Sequence, residues 1–123
     1  MRIFIVDDSD LIRERIIALL SEIPKVQFVG QADSLIGTLA KIRDVNPDVV
    51  ILDIRIKDGN GIEILEQLKK DPKAPIVIML TQYPFPQYRN KCMEAGADYF
   101  LDKATEFQLL PEIITKIQKD QFG

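Results

Sequence analysis

Four apolar runs in this chain stop abruptly on polar residues. Val49-Val50-Ile51-Leu52 ends on Asp53, Ile3-Phe4-Ile5-Val6 on Asp7-Asp8, Ile76 to Leu80 on Thr81, and Tyr99-Phe100-Leu101 on Asp102-Lys103. Runs with no polar alternation suit strands covered on both faces, as in the middle of a parallel α/β sheet. Val26 to Val29, ended by Gly30, reads as a further short strand.

Between the runs, apolar residues recur at helical spacing. Ser9 is an N-cap for a helix with Ile12, Ile16, Leu19, Leu20 and Ile23 on one face, stopped by Pro24. Asp33-Ser34 offers a cap for a second helix carrying Leu35, Ile36, Leu39 and Ile42, broken at Asn46-Pro47. The turn-rich loop Lys57 to Gly61, with Gly59 and Gly61 serving turn geometry, leads to a third helix with Ile62, Leu65 and Leu68. A fourth starts near Pro86 and terminates at Gly96. Thr105 to Gln108 matches a capping box, but Pro111 conflicts with a start there, so the last helix either kinks or begins nearer Gln108.

Strand and helix thus alternate five times, with no internal repeat or linker. The expected fold is α/β: a flavodoxin-like, doubly wound five-stranded parallel sheet of order 2-1-3-4-5 with five helices. That order makes the first and third strands neighbours and sets Asp7 and Asp8 beside Asp53.

The 123 residues fit one domain, 1–123, with no room for an output domain. A net charge of −3 supplies no basic stripe, so no direct nucleic-acid binding is expected. No apolar run approaches the roughly 20 residues of a membrane span, and a cytoplasmic protein is expected. The lone Cys92 reads as a small core residue, and the absence of histidine excludes histidine triads and histidine metal ligands.

The acids carry the chemistry. Asp7 and Asp8 alone would read as a helix-capping pair. Convergence with Asp53 changes that, because two carboxylates about 4 Å apart repel by roughly 4 kcal/mol at an effective dielectric of 20. An oxygen-only donor set favours a hard cation, and Mg²⁺ is the expected cofactor. Lys103 adds a positive group for an anion and Thr81 a hydroxyl donor, so the rim reads as a phosphoryl site whose nucleophile is Asp53.

These five positions, Asp7-Asp8, Asp53, Thr81 and Lys103 at four strand ends, closely resemble the receiver domains of two-component response regulators, and the resemblance spans the chain. It implies a phosphorelay signalling domain, not an enzyme, in which Asp53 accepts a phosphoryl group from a partner histidine kinase or phosphotransfer protein. It further implies that Asp8, Asp53 and the backbone carbonyl of Arg55 ligate Mg²⁺, with Asp7 acting through a water. Lys103 would pair with Asp53 or its phosphoryl group. Thr81 would shift toward the phosphoryl oxygen and let Phe100, at the switch-aromatic position, turn inward. The read-out face would be the fourth helix, fifth strand and fifth helix, near Tyr88, Lys91, Tyr99 and Lys116, also the face of a possible homodimer and of an unknown downstream protein.

The chain departs from the family pattern at two places. Ala104 follows Lys103 where proline is usual, often after a cis bond, and Gln82 follows Thr81 where a small residue is usual. Gln82, with Arg55 and Tyr83, is expected to screen the phosphoryl group from water. Two further readings of the same family are the receiver half of a longer DNA-binding regulator and a degenerate receiver acting by protein interaction alone. A Mg²⁺-dependent phosphatase would need a substrate pocket and cap that 123 residues do not supply. A flavin binder would want Ser, Thr and Gly where Asp-Asp-Ser-Asp stands.

Overall fold

The computed structural model describes residues 1–122. Five parallel strands form one sheet: β1 (Arg2–Val6), β2 (Gln27–Ala32), β3 (Val49–Leu52), β4 (Ile76–Thr81) and β5 (Tyr99–Asp102), in the order β2-β1-β3-β4-β5. Five helices connect them: α1 (Asp10–Leu20), α2 (Thr38–Val45), α3 (Gly61–Leu68), α4 (Pro86–Glu94) and α5 (Leu110–Phe122). All four residues of β3 are buried, as their unbroken apolar run predicts for a central strand.

Alternation along each strand divides the core into two layers. Phe4, Val6, Val50, Leu52, Val77, Met79 and Phe100 face α2, α3 and α4, while Ile3, Ile5, Val49, Ile51, Ile78, Leu80 and Leu101 face α1 and α5. Register then aligns the strand ends: Val6 lies opposite Leu52, and Thr81 opposite Asp102. The residues just beyond these pairs share one rim.

Several boundaries differ from the sequence reading. Strand β2 runs through Gly30 to Ala32, because Gly30 sits against the Phe4 ring at an irregular step in the β1–β2 register, where a Cβ would lie 2.5 Å from that ring. Helix α1 ends at Leu20 and leaves Ile23 outside it. Helix α2 starts only after Gly37, because the expected cap residues are engaged elsewhere. Ser34 bridges to Lys57, the Asp33 carboxylate takes Lys57 Nζ at 2.9 Å, and the Leu35 amide donates to Asp58 Oδ1 at 2.7 Å. Ile36 therefore projects into solvent, 78% exposed, instead of packing. The loop after Asp53 folds as a short hairpin pairing Arg55–Ile56 with Gly59–Asn60.

The last helix resolves as its second alternative. A 3₁₀ turn at Phe107–Leu109 precedes α5, which places Pro111 in the first turn, where its missing N–H is harmless. Helix α4 starts at Pro86, and Gly96 is left-handed at φ +103, as expected.

The two loop glycines are required by close approach and not by φ. A Cβ on Gly61 would stand 1.9 Å from the carbonyl oxygen of Asp53, and one on Gly59 2.3 Å from Leu35. Gly61→Ala is expected to lower stability by about 1–3 kcal/mol through forced backbone displacement under Asp53. Urea unfolding at constant m value measures it.

Candidate functional site

The rim brings together the side chains of Asp7, Asp8, Asp53 and Lys103. One carboxylate oxygen from each of Asp7, Asp8 and Asp53 lies within 4.8 Å of the others. Lys103 Nζ donates to Asp7 Oδ2 at 2.7 Å and to Asp53 Oδ2 at 2.8 Å. The remaining oxygens are set by the backbone: Ser9 N–H donates to Asp7 Oδ1 at 2.9 Å and Ile54 N–H to Asp53 Oδ1 at 2.7 Å. Asp7 and Asp53 are 2% and 4% exposed, whereas Asp8 is exposed. Asp8 is thus the acid that meets solvent.

Electrostatics follow from this burial. Desolvation raises the Asp53 carboxyl above its ordinary pKa, opposed by the bond to Lys103 and by its charge, and helped by the charge of Asp7. Burial alone would lower the Lys103 pKa, yet its bonds to Asp53 and Asp7 raise it overall, so it stays an ammonium. Three carboxyl groups, two of them buried, thus face a single ammonium. A divalent oxygen-seeking cation would balance that cluster of acids, and the all-oxygen donor set fits Mg²⁺.

Lys103 reaches both acids although alanine follows it. Among the described residues there is no cis peptide bond. The Lys103 amide donates to the Thr81 carbonyl at 2.8 Å, and the Ala104 amide, which a proline would lack, donates to Asp102 Oδ1 at 2.8 Å. Thr81 is fully buried, and its Oγ1 accepts the Tyr83 amide at 3.0 Å. Phe100 is already packed inward at 6% exposure, with the Arg89 guanidinium 5.5 Å from its ring centroid.

A cavity of about 190 Å³ opens above Asp53 and is lined by Asp8, Ser9, Ile12, Arg55, Gln82, Tyr83 and Lys103. The Arg55 guanidinium sits 4.3 Å from the Tyr83 ring centroid, and Gln82 Nε2 donates to the Tyr83 hydroxyl at 3.2 Å. The hydroxyl of Tyr88 raises the Arg55 pKa. The three residues therefore form one wall of the cavity. A larger groove, about 370 Å³, lies where Pro47 and Pro75 precede β3 and β4, away from the acids.

Cys92 is buried and desolvation pushes its thiol up to about 11, which makes it unreactive at neutral pH. Tyr88 and Tyr99 are half-buried while Lys91 and Lys116 are exposed. No helix among the described residues is long and apolar enough to cross a membrane. Sequence reasoning missed the amides of Ser9, Ile54 and Tyr83, since any residue type supplies a backbone N–H. It also missed Arg13, whose Nη1 donates to the Asp7 carbonyl at 2.5 Å, and which helical spacing from Ser9 could have turned toward the strand end.

Known proteins resemble this chain over most of its length. Residues 3–115 match the family model described as the response regulator receiver domain. The chain is 33% identical over 120 residues to the sensory transduction protein LytT of Enterococcus faecalis, covering 98% of this chain and 49% of that protein. It is 32% identical to the DNA-binding transcriptional activator DevR/DosR of Mycobacterium tuberculosis, over 84% of this chain and 48% of that one. The chain thus spans about half the length of these curated relatives. Its fold superposes on the response regulator domain of Thermotoga maritima CheB with a TM-score of 0.83 at 28% identity, covering 97% and 94% of the two chains.

Proposed function

The chain belongs to the response regulator receiver domain family, and from that premise we propose that Asp53 accepts a phosphoryl group from a phosphohistidine on a partner kinase or phosphotransfer protein. The observation that carries this is Lys103 Nζ held between two nearly buried carboxylates, Asp7 and Asp53. It opposes the desolvation that raises the Asp53 pKa and sets a fixed positive charge beside the carboxylate for the incoming oxygens.

In the transfer, a carboxylate oxygen of Asp53 forms the new O–P bond as the donor's N–P bond breaks and its imidazole nitrogen keeps the electron pair. Asp8, Asp53 and the Arg55 carbonyl would hold Mg²⁺, with Asp7 acting through a water, and the bound ion would neutralise phosphoryl oxygen charge. Lys103 supplies the second positive contact. The Thr81 hydroxyl leaves the Tyr83 amide for a phosphoryl oxygen, and Phe100, inward in this structure, is held there by that shift. The altered α4-β5-α5 face, with Tyr88, Lys91, Tyr99 and Lys116, then meets the downstream protein or a second copy. The domain assists its own phosphorylation and dephosphorylation but turns over no separate substrate.

Acetyl phosphate with Mg²⁺ should add one phosphoryl mass to the chain, and EDTA should prevent it. No adduct with Mg²⁺ present would favour the degenerate-receiver reading. A second reading, that this receiver governs a DNA-binding output on a longer protein, is favoured by the likeness to DevR/DosR.

The wall of Arg55, Gln82 and Tyr83 is proposed to exclude water from the acyl phosphate. Gln82→Ala should speed decay of the phosphorylated chain several-fold, read as adduct lost with time after the donor is removed. Unchanged or slower decay would sink the idea.

A further inference from the structure

We propose that Arg13 is a positioning residue that sets the peptide between Asp7 and Asp8 and thereby the cation affinity of the pocket. This rests on reading Asp7, Asp8 and Asp53 as a divalent-cation site. Arg13 lies on α1 with its side chain only 12% exposed. Its three nitrogens engage three segments. Nη1 donates to the Asp7 carbonyl at 2.5 Å, Nε to Gln31 Oε1 on β2 at 2.8 Å, and Nη2 pairs with the Asp10 carboxylate at the start of α1.

These arms differ in weight. The Asp10 side chain is 84% exposed, and an ion pair so placed holds little. The bond to the Asp7 carbonyl is partly buried and grips the one peptide that joins the two acids. From the other side, Ser9 N–H holds the Asp7 carboxylate, while Asp8 has no side-chain hydrogen bond among the described residues. Asp8 is therefore placed by its backbone alone, and Arg13 is what fixes the carbonyl of the peptide leading into it. A planar guanidinium can serve three diverging acceptors at once, which one ammonium cannot.

The sign of the effect separates positioning from charge. A guanidinium near the pocket repels a cation, so removing it would, by charge alone, tighten Mg²⁺ binding. Loss of positioning weakens it. Calorimetric titration of Mg²⁺ into the native chain, Arg13→Met and Arg13→Lys should show both variants binding about 10-fold more weakly, the scale of lost outer-shell support. The Mg²⁺ concentration for half-maximal acetyl phosphate labelling should rise in step, with the rate at saturating Mg²⁺ unchanged.

Equal or tighter binding by Arg13→Met overturns the proposal. If Arg13→Met fails to fold by urea titration, Arg13→Lys becomes the deciding variant, and native-like affinity in it overturns the proposal equally. Absence of Mg²⁺ binding by the native chain would instead overturn the pocket reading, and this inference with it.

Discussion

Lys103→Met is expected to cripple the metal-free fold and the chemistry together. The substitution leaves the carboxylates of Asp7 and Asp53, 2% and 4% exposed, with no positive partner. Removing one partner of a buried ionic cluster costs about 3–5 kcal/mol, against a total of about 5–15 kcal/mol for a domain. Urea unfolding in EDTA should show that loss. Saturating Mg²⁺ should recover a large part of it, because the cation supplies the missing charge. Phosphoryl uptake should remain depressed about 10²–10³-fold even when the variant is fully folded and metal-loaded, the usual effect of deleting one charge-stabilising donor. A variant that labels at the native rate would remove Lys103 from the chemistry.

Asp53→Asn has the opposite signature. It should abolish labelling by acetyl phosphate and, in EDTA at neutral pH, raise the urea midpoint above native. The direction follows from linkage. Burial raises the folded-state pKa of Asp53 above its unfolded value, so the folded state binds that proton more tightly. The stability contributed is fully present below the unfolded pKa, near 4, and is lost as pH rises through the folded one. At neutral pH the ionised side chain is a burden that asparagine lacks. The gap between variant and native midpoints should therefore shrink as pH falls through the folded pKa toward the ordinary carboxylate range. A gap independent of pH would mean that desolvation of Asp53 is not what separates them.

The two variants bracket one trade. Asp53 sits where a carboxylate is disfavoured, and Lys103 makes its ionised form tolerable. A pocket so balanced responds to any charge that enters it. On the proposed function, this would be the physical basis for a switch driven by phosphoryl addition.

Much of this was legible in the sequence because each strand is an unbroken apolar run ending on a polar side chain. The run from Val49 to Leu52 gives both the central strand and the address of Asp53, and the strand order then brings in Asp7, Asp8, Thr81 and Lys103. What failed to show were features that depend on tertiary competition. Asp33 and Ser34 look like helix caps, but Lys57 and the hairpin after Asp53 claim them first, and the helix starts later. Gly30 looks like a strand end, but it is the gap that admits the Phe4 ring. Gly59 and Gly61 look like turn formers, yet contact with Leu35 and with the Asp53 carbonyl is what demands them. Residue type signals a side chain's chemistry, whereas a close approach is visible only once both partners are placed. The same limit hid the backbone amides that aim the site carboxylates and the grip of Arg13 on Asp7.

The central claim is that Asp53, among 19 acidic residues, is the phosphoryl acceptor. The most direct measurement is to label the chain with acetyl phosphate and Mg²⁺, reduce with borohydride, and locate the product by peptide mass. Hydride converts an aspartyl phosphate to homoserine and releases phosphate, so the modified position is recorded in the sequence. The account predicts homoserine at position 53 alone, and none when EDTA replaces Mg²⁺. Homoserine at any other position, or labelling that persists in EDTA, would contradict it.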